Sequence, residues 1–268
     1  MAIFVTELQY TKMIFHYHNT PIHYHKQGTG PVIVMLHGFL ESSTMWQKIA
    51  AVLSKKNTVL MVDLPGFGQS GVPNKTHTME AMATIVCEVL AFENFKSATL
   101  LGHSMGGYVA LAFGELFPKK LDKLILLNSS PTPDSASRKE NRDRALTIID
   151  KNKDAFITMA IGNLFSAEEK SKHTLAIKGL KNEALHISAN GVTAAIKAMR
   201  DRKDRRTLLK NIPCEKHIIA GTLDLIIPHQ DVVAISKQTN TTLHSIESGH
   251  MSWLTNGPEV IALLQGIV

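Results

Sequence analysis

The pentapeptide Gly102-His-Ser-Met-Gly106 restricts the fold of this chain more than any other segment. It lies between an apolar run of strand type and an apolar run of helix type. A serine on such a sharp strand-to-helix turn needs neighbours without bulk, because its own backbone is strained and the flanking backbones pass closely. The turn also places N–H groups of the helix N-terminus beside Ser104, where they can stabilise negative charge. The pattern predicts Ser104 as a catalytic nucleophile, with Gly102 and Gly106 as structural residues of its turn.

Strands and helices alternate along most of the chain, which predicts βαβ units and a mainly parallel sheet. The predicted strands of this sheet are 31–37, 58–63, 98–103, 123–128, 214–221 and 242–246. The predicted helices are 42–55, 78–93, 105–117, 230–237 and a last helix from Ser252. A strand pair at 13–30 is expected at the edge of the sheet. The predicted fold class is therefore α/β, with a mainly parallel, doubly wound sheet.

The alternation stops between residues 131 and 207. This segment is helical in pattern, rich in charge and without a clear strand, and it is too long for an ordinary loop. The sequence therefore predicts one α/β core formed by residues 1–130 and 208–268, interrupted by a helical insertion at 131–207.

His250 is the predicted general base. A serine hydroxyl is a weak nucleophile unless a base accepts its proton, and the chain offers 13 histidines. His250 stands in the loop after the last predicted strand. In a parallel sheet this loop lies at the same carboxyl edge as Ser104, so position rather than residue type selects His250.

Asp224 is the predicted acid that orients the base. It follows the strand 214–221 after a glycine turn, and it lies between the serine and the histidine in chain order. Asp231 is the second candidate, but it is expected on a helix, pointing away from the site. The end of the strand 123–128 is another position for such an acid. It holds Asn128, whose amide cannot stabilise an imidazolium as a carboxylate does.

Two backbone donors are expected to form an oxyanion hole. One is the N–H of Met105, directly after the nucleophile, and the other is the N–H of Phe39 in the loop after the first buried strand. His37 and Gly38 belong to that loop, and Gly38 allows it to turn tightly over the site. We therefore expect His37 and Gly38 to shape the site.

The chain is basic, with a formal net charge of +6 and a pI of about 9.2. The excess lies mainly at 138–144 and 197–206, and neither stretch interleaves aromatic residues with its charges, so no nucleic-acid partner is expected. Such stretches could attract a carboxylate-bearing substrate or an acidic carrier protein. Asp201 and Asp204 favour instead a solvated helix face that pairs its own charges. The same interpretation is given to Arg138, Arg142 and Arg144.

Cysteine usage predicts a reduced, cytoplasmic protein. Cys87 and Cys214 stand in apolar segments without the spacing of a redox motif or a zinc site. The first ten residues lack a signal-peptide pattern, and no apolar run is long enough to span a membrane. No metal and no organic cofactor are expected, and no oligomeric state is predicted.

Several segments together resemble the α/β-hydrolase superfamily in their order and spacing. They are His37-Gly-Phe39, Asp63 to Ser70, Gly102 to Gly107, Gly221-x-x-Asp224 and Gly249-His250. The resemblance implies that Asp63 is a structural residue of its loop. It also implies that the helical insertion is a cap that covers the pocket and sets specificity. Candidates for the pocket lining are Phe39, Phe67, Met105, Met159, Phe165 and Trp253.

Within the superfamily the chain is similar to small, cap-bearing carboxylesterases, methyl ester esterases and enol-lactonases. This implies a serine hydrolase with the triad Ser104, Asp224 and His250 and a small-molecule ester, lactone or thioester as substrate. Haloalkane dehalogenases carry Asp at the position of Ser104, so dehalogenation is not expected. A second hypothesis is a lyase or C–C bond hydrolase with the same triad, which a cap arginine in the pocket would favour. A third is a non-enzymatic ligand receptor, against which the complete set of residues argues.

Overall fold

The structure, a computed structural model, describes residues 10–73 and 77–268. The first nine residues, for which the sequence indicates no signal peptide, lie outside the described residues. The strands are β1 (Thr11–Tyr17), β2 (Thr20–Gln27), β3 (Val32–Leu36), β4 (Thr58–Val62), β5 (Ala98–His103), β6 (Leu121–Leu127), β7 (Glu215–Gly221) and β8 (Thr242–Ile246). They form one sheet in the order β1-β2-β4-β3-β5-β6-β7-β8.

The strands from β3 to β8 run parallel to one another, and the hairpin β1–β2 joins the sheet antiparallel at the β4 edge. The predicted fold class is therefore confirmed, and the strand pair lies at the edge, as expected. This arrangement brings the carboxyl ends of β3, β5, β6, β7 and β8 to one edge of the sheet, which is where parallel sheets form their sites.

The helices are α1 (Gln47–Leu53), α2 (Met79–Phe92), α3 (Met105–Leu116), α4 (Ala136–Gly162), α5 (Ala167–Lys172), α6 (Thr174–Leu185), α7 (Ala189–Arg200), α8 (Arg206–Asn211), α9 (His229–Thr239), α10 (Ser252–Thr255) and α11 (Gly257–Ile267). The predicted helix 42–55 begins as a 3-10 turn at Ser43–Trp46. The predicted last helix is divided at Asn256, because Pro258 lacks the N–H that a helix interior needs and instead starts α11. In the part of the chain that the structure describes, no helix is both long and apolar enough to cross a membrane.

Both faces of the sheet are covered by apolar contacts. Val34 and Leu36 point into a core with α2 and α3, whereas Ile33 and Met35 point into a second core with α1 and α11. Side chains alternate between the two faces of a strand, so a strand buried on both faces is apolar throughout. This explains the continuous apolar runs of the sequence and fixes the strand ends that carry the site.

The helices α4 to α8, here called the inserted helices, connect β6 to β7. The long helix α4 is kinked at Asn152 and packs on α6 and α7. The last of the inserted helices ends at Asn211, a few residues beyond the predicted boundary at 207. Arg205, with a side chain only 3% exposed, ties this end to the core. Its Nη2 lies 2.6 Å from Glu80 Oε1 of α2 and 2.8 Å from Glu115 Oε2 of α3.

Candidate active site

Ser104 stands on a strained turn between β5 and α3. Its φ of 49° and ψ of −113° lie in a region that residues with a side chain rarely adopt, at a cost of about 1–3 kcal/mol. A Cβ on Gly102 would lie 2.4 Å from the backbone of Gly106, and a Cβ on Gly106 would lie 2.2 Å from the carbonyl oxygen of Leu36. The turn therefore requires glycine on both sides of Ser104, as the pentapeptide indicated.

The structure brings Ser104, Asp224 and His250 into one chain of hydrogen bonds. His250 Nε2 lies 3.0 Å from Ser104 Oγ, and His250 Nδ1 lies 2.8 Å from Asp224 Oδ2. The side chains of His250 and Asp224 are each only 2% exposed. The three residues follow β5, β7 and β8, so the sheet topology is what assembles them.

The Asp224 carboxylate is held by backbone and side-chain donors. Oδ1 accepts the N–H groups of Ile226 (2.8 Å) and Ile227 (2.9 Å), and Oδ2 accepts Nδ2 of Asn128 (3.0 Å). Burial alone would raise the pKa of Asp224, but His250 and these donors hold that pKa below its ordinary value. Asp224 is therefore an anion at neutral pH.

An anionic Asp224 fixes which nitrogen of His250 carries the proton. A carboxylate can only accept hydrogen bonds, so His250 Nδ1 must donate to Asp224. In the neutral imidazole Nε2 is then an acceptor, and it faces the Ser104 hydroxyl. The arrangement can therefore remove the proton of Ser104 as the hydroxyl attacks an electrophile.

Asn128 is a functional residue that sequence reasoning missed. Besides Asp224, its Nδ2 donates to the carbonyl of Gly249 (3.2 Å), and its Oδ1 accepts the hydroxyl of Ser252. Asn128 thus links the acid to the loop of His250. The sequence considered this position only as a possible acid. The sequence feature that could have identified Asn128 is its position at the end of β6, because the neighbouring strand β7 is the one that Asp224 follows.

The backbone N–H groups of Phe39 and Met105 have no hydrogen-bond acceptor within the described residues. Met105 is the first residue of α3, where a helix offers no acceptor for the N–H. Within the described residues, the N–H of Phe39 has no backbone or side-chain acceptor. Phe39 also lines the same cavity as Ser104. Their role as oxyanion donors stays a prediction that this geometry supports.

His37 and Asp63 hold the loops around the site. The N–H of Leu64 donates to His37 Nε2 (2.9 Å), so His37 Nδ1 carries the proton and donates to the carbonyl of Gly38 (2.7 Å). Burial lowers the pKa of His37, which keeps the ring neutral. The Asp63 carboxylate accepts the N–H groups of Ser43 and Gln69, which is a structural role.

A cavity of about 280 Å³ opens onto Ser104 and His250. Its apolar lining comes from the core and from the inserted helices: Phe39, Leu40, Tyr108, Ala145, Phe156, Ala160, Leu164, Ile196, Met199, Ile226 and Met251. Phe39 alone of the predicted lining residues belongs to this set. Phe67, Met105 and Phe165 are buried in the core, Trp253 is half-buried and Met159 is half exposed, and none of these five residues lines the cavity.

Arg138 and Arg142 also line this cavity, so their interpretation as a solvated helix face was wrong. With Asn141 and Ala145 they recur at spacings of three and four on α4, which places all of these residues on one helix face. That face turns towards Ser104. Arg144, in contrast, is 71% exposed and pairs with Glu140.

Three arginines, Arg138, Arg142 and Arg202, lie near the cavity, and two of them share the carboxylate of Asp134. Asp134 lies 2.8 Å from Arg142 Nε and 2.6 Å from Arg202 Nη1, and its side chain is fully buried. Arg138 donates to the carbonyl of Ile226 and, within the described ranges, has no carboxylate within ion-pair distance. This end of the cavity therefore carries excess positive charge.

We expect Asp134→Asn to make the free energy of unfolding less dependent on pH in the acidic range. Burial would raise the pKa of Asp134, but Arg142 and Arg202 hold it below the ordinary value. Asp134 therefore binds a proton more readily in the unfolded chain than in the folded one. Its ionised carboxylate stabilises the fold above pH about 4, and this stabilisation is lost as the pH falls through the folded-state pKa. The variant should lose about 3 kcal/mol at neutral pH and show a smaller further loss between about pH 5 and 3. Urea unfolding at each pH measures this, and parallel curves for the two proteins would contradict it.

Within the described residues, no group of three or more His, Cys, Asp or Glu side chains is placed to hold a metal ion. His16, His18, His23 and His25 of the β1–β2 hairpin therefore belong to no candidate metal site. The candidate active site consists of the hydrogen-bonded residues and the cavity described above.

The sequence matches the model of the alpha/beta hydrolase fold family over residues 31–257. The chain therefore belongs to the alpha/beta hydrolase fold family. It is 31% identical over 215 residues to the pimeloyl-(acyl-carrier protein) methyl ester esterase of Pseudoalteromonas atlantica, a match that covers 75% of this chain and 79% of that protein. It is also 37% identical over 102 residues to an uncharacterized protein of Mycobacterium tuberculosis. That match covers 38% of this chain and only 30% of the relative's length.

Solved structures agree with this assignment. A thermophilic esterase from Thermogutta terrifontis superimposes with a TM-score of 0.88 at 28% identity, over 96% of this chain and 97% of that chain. The enol-lactonase from Burkholderia xenovorans LB400 gives a TM-score of 0.87 at 19% identity, over 95% and 98% of the two chains, and shows the shared fold alone.

Proposed function

We propose that this protein is a serine esterase that cleaves a carboxylic ester, lactone or thioester through an acyl-enzyme on Ser104. The observation that carries the proposal is the chain of hydrogen bonds from Asp224 through His250 to Ser104, with contacts of 2.8 and 3.0 Å. The esterase relative from Pseudoalteromonas atlantica and the Thermogutta terrifontis structure support the same reaction class.

In the first half-reaction His250 Nε2 takes the proton of Ser104 as Oγ attacks the ester carbonyl carbon. The carbonyl oxygen becomes negative and accepts the N–H groups of Phe39 and Met105. Asp224 stabilises the imidazolium that His250 has become. The tetrahedral intermediate then expels the alcohol, which receives the proton from His250, and leaves an acyl group on Ser104.

In the second half-reaction a water molecule attacks the acyl-enzyme, and His250 accepts one of its protons. The same backbone donors hold the second oxyanion. When the intermediate collapses, the proton returns to Ser104 Oγ and the carboxylic acid is released. The reaction as proposed needs no metal and no organic cofactor.

We propose that residues 131–207 act as a cap that sets specificity. The insertion supplies Phe156 of α4, Met199 of α7 and Leu164, which follows α4, to the lining of the cavity, so their side chains limit the acyl or alcohol group that fits. A cavity of about 280 Å³ is at the small end of the range for ligand pockets. The test is turnover of p-nitrophenyl esters of increasing acyl length. Faster turnover of acetate and butyrate than of octanoate supports the cap, and the reverse order contradicts it.

A lyase or C–C bond hydrolase with the same triad is the second candidate function. The observation in its favour is Arg138, because substrates of this kind carry carboxylates and this guanidinium lines the cavity without a carboxylate partner in the described chain. An enzyme whose Ser104 reacts with a fluorophosphonate but which turns over no ester would favour this candidate. An inert Ser104 would favour the receptor hypothesis instead.

We expect Arg138→Gln to weaken the binding of anionic substrates selectively. A charge-assisted hydrogen bond to a carboxylate contributes about 1.5–3 kcal/mol, so KM for mono-p-nitrophenyl succinate should rise about tenfold or more. KM for the neutral butyrate ester should stay within about twofold. Arg144→Gln, on the exposed face of the same helix, is the matched control and should change neither value. Equal changes for both esters in Arg138→Gln would contradict a role of Arg138 in anion binding.

We also propose a cytoplasmic location and a small-molecule substrate rather than a nucleic-acid partner. Cys87 is buried and Cys214 is half-buried, and both are free thiols, which suits a reducing compartment. Five of the six basic residues of the stretch 197–206 pair with carboxylates, as in the Arg206–Asp204 contact, so they offer little unpaired positive charge to a polyanion.

A further inference from the structure

A buried ion pair lies beside the candidate triad, and its two residues, Glu41 and His103, border the same cavity as Ser104 and His250. His103 Nδ1 lies 2.9 Å from Glu41 Oε2, and the two side chains are only 1% and 4% exposed. Neither residue has a role in the reaction as described so far. A buried charge pair is expensive to desolvate, so its position beside Ser104 needs an explanation.

Glu41 binds two further donors from the surroundings of the site. The N–H of Gly38 donates to Oε2 (2.6 Å), and the indole Nε1 of Trp253 donates to Oε1 (3.2 Å). A Cβ on Gly38 would lie 2.4 Å from Glu41 Oε2 and 2.8 Å from His103 Nδ1. The loop can therefore approach the ion pair this closely only with glycine at this position.

His103 reaches in the other direction, to the general base. Its Nε2 lies 3.1 Å from the backbone carbonyl of His250. A carbonyl can only accept, so Nε2 carries a proton, and Nδ1 faces an acceptor as well. Burial would lower the pKa of His103 but Glu41 raises it, and His103 in turn keeps the pKa of Glu41 low. The pair is therefore an imidazolium and a carboxylate that together bond the loops of Gly38 and His250.

We propose that Glu41 and His103 form a positioning pair that holds the oxyanion loop and the His250 loop in one fixed register over Ser104. Gly38 directly precedes Phe39, the proposed oxyanion donor, and the carbonyl that His103 binds belongs to the general base itself. A shift of about 1 Å at a reacting group costs about 100-fold in rate, so a link between the two loops protects the geometry of both. This inference rests on the proposed esterase function.

Two variants separate the two arms of the pair. In Glu41→Gln the amide has one oxygen, so at least one of the donors from Gly38, His103 and Trp253 loses its acceptor. In His103→Asn the shorter amide can still donate to Glu41 but no longer reaches the His250 carbonyl. The first variant therefore weakens the link at its carboxylate end, and the second breaks it at the His250 carbonyl, so either variant uncouples the two loops from each other.

The control is Glu93→Gln. Glu93 is also buried, with a side chain 7% exposed, and it pairs with Lys26 and Tyr24 at the far edge of the sheet. This variant disrupts a partly buried pair away from Ser104, in which the Glu93 side chain is buried and the Lys26 side chain is 36% exposed. It should lower the melting temperature and leave the kinetic constants per active site within about twofold.

The measurement is kcat and KM for p-nitrophenyl butyrate, with the concentration of active sites titrated by a fluorophosphonate in each protein. This titration removes the effect of any unfolded fraction. Glu41→Gln and His103→Asn should each lower kcat per active site by about 10- to 100-fold, with KM within about twofold. The double variant should lose no more than the worse single variant, because both act through one link.

Values of kcat per active site within about twofold of wild type in both single variants would overturn the proposal, even if their melting temperatures fall. Additive losses in the double variant would also overturn the single-link account. If Glu41→Gln does not fold, His103→Asn and the milder Trp253→Phe carry the same test. A wild-type protein that neither reacts with the fluorophosphonate nor cleaves esters would instead refute the proposed function, so the two failures are distinguishable.

Discussion

We expect Ser104→Ala to lower kcat for ester hydrolysis by about a million-fold. The Oγ atom forms the covalent bond to the acyl group and lies 3.0 Å from the base, so its removal abolishes the whole acyl-enzyme route. Residual catalysis would come from the oxyanion donors and substrate binding alone, at about 10³–10⁴-fold over water. The measurement is kcat and KM for p-nitrophenyl acetate with enzyme purified free of host esterases.

The matched control for this loss is Ser130→Ala. Ser130 follows β6 near the site, and its hydroxyl bonds Thr132 rather than His250. Its kcat should stay within about twofold of wild type. Ser104→Ala should also keep the wild-type melting temperature, because alanine has the same Cβ on the strained backbone. Ester hydrolysis retained in Ser104→Ala would remove Ser104 from the mechanism.

Asp224→Asn is expected to lower kcat by about 10⁴-fold. The N–H groups of Ile226 and Ile227 both point at Oδ1, so the amide of the variant must place its oxygen there. Its NH₂ group then faces His250 Nδ1, which becomes an acceptor, and the ring proton moves to Nε2. A protonated Nε2 cannot accept the proton of Ser104. The fold would persist, although Asn128 Nδ2 would lose its acceptor at the former Oδ2, and the His250 tautomer would be wrong for catalysis.

Asp231→Asn tests the choice between the two acids that the sequence left as candidates. Asp231 is exposed in the first turn of α9. Its replacement should leave kcat within about twofold of wild type at every pH at which the fold is stable. A larger loss in Asp231→Asn than in Asp224→Asn would contradict the assignment of the acid.

The turn at Ser104 and the order of the strands were predictable from the sequence because both depend on local constraints. Gly102 and Gly106 reveal a close backbone approach, and apolar runs reveal strands buried on both faces. Strand ends in a parallel sheet meet at one edge, which is why Asp224 and His250 could be selected before their distances were known.

Contacts between distant segments could not be predicted in this way. Glu41 and His103 are 62 residues apart, and His103 and the His250 carbonyl are 147 apart, so no local pattern joins them. The interpretation of Arg138 as part of a solvated helix face was wrong for a related reason. A charged helix shows its periodicity in the sequence, but which face meets the cavity depends on how α4 packs on α6 and α7.

The central claim is that Ser104 is an activated nucleophile in an assembled triad, and fluorophosphonate labelling tests it most directly. Wild type, Ser104→Ala and Ser130→Ala are treated with the same probe, and the modified peptide is located by mass spectrometry. We expect one adduct on the peptide that contains Ser104, in wild type and Ser130→Ala but not in Ser104→Ala. An unlabelled wild type, or equal labelling of Ser104→Ala at another residue, would contradict it.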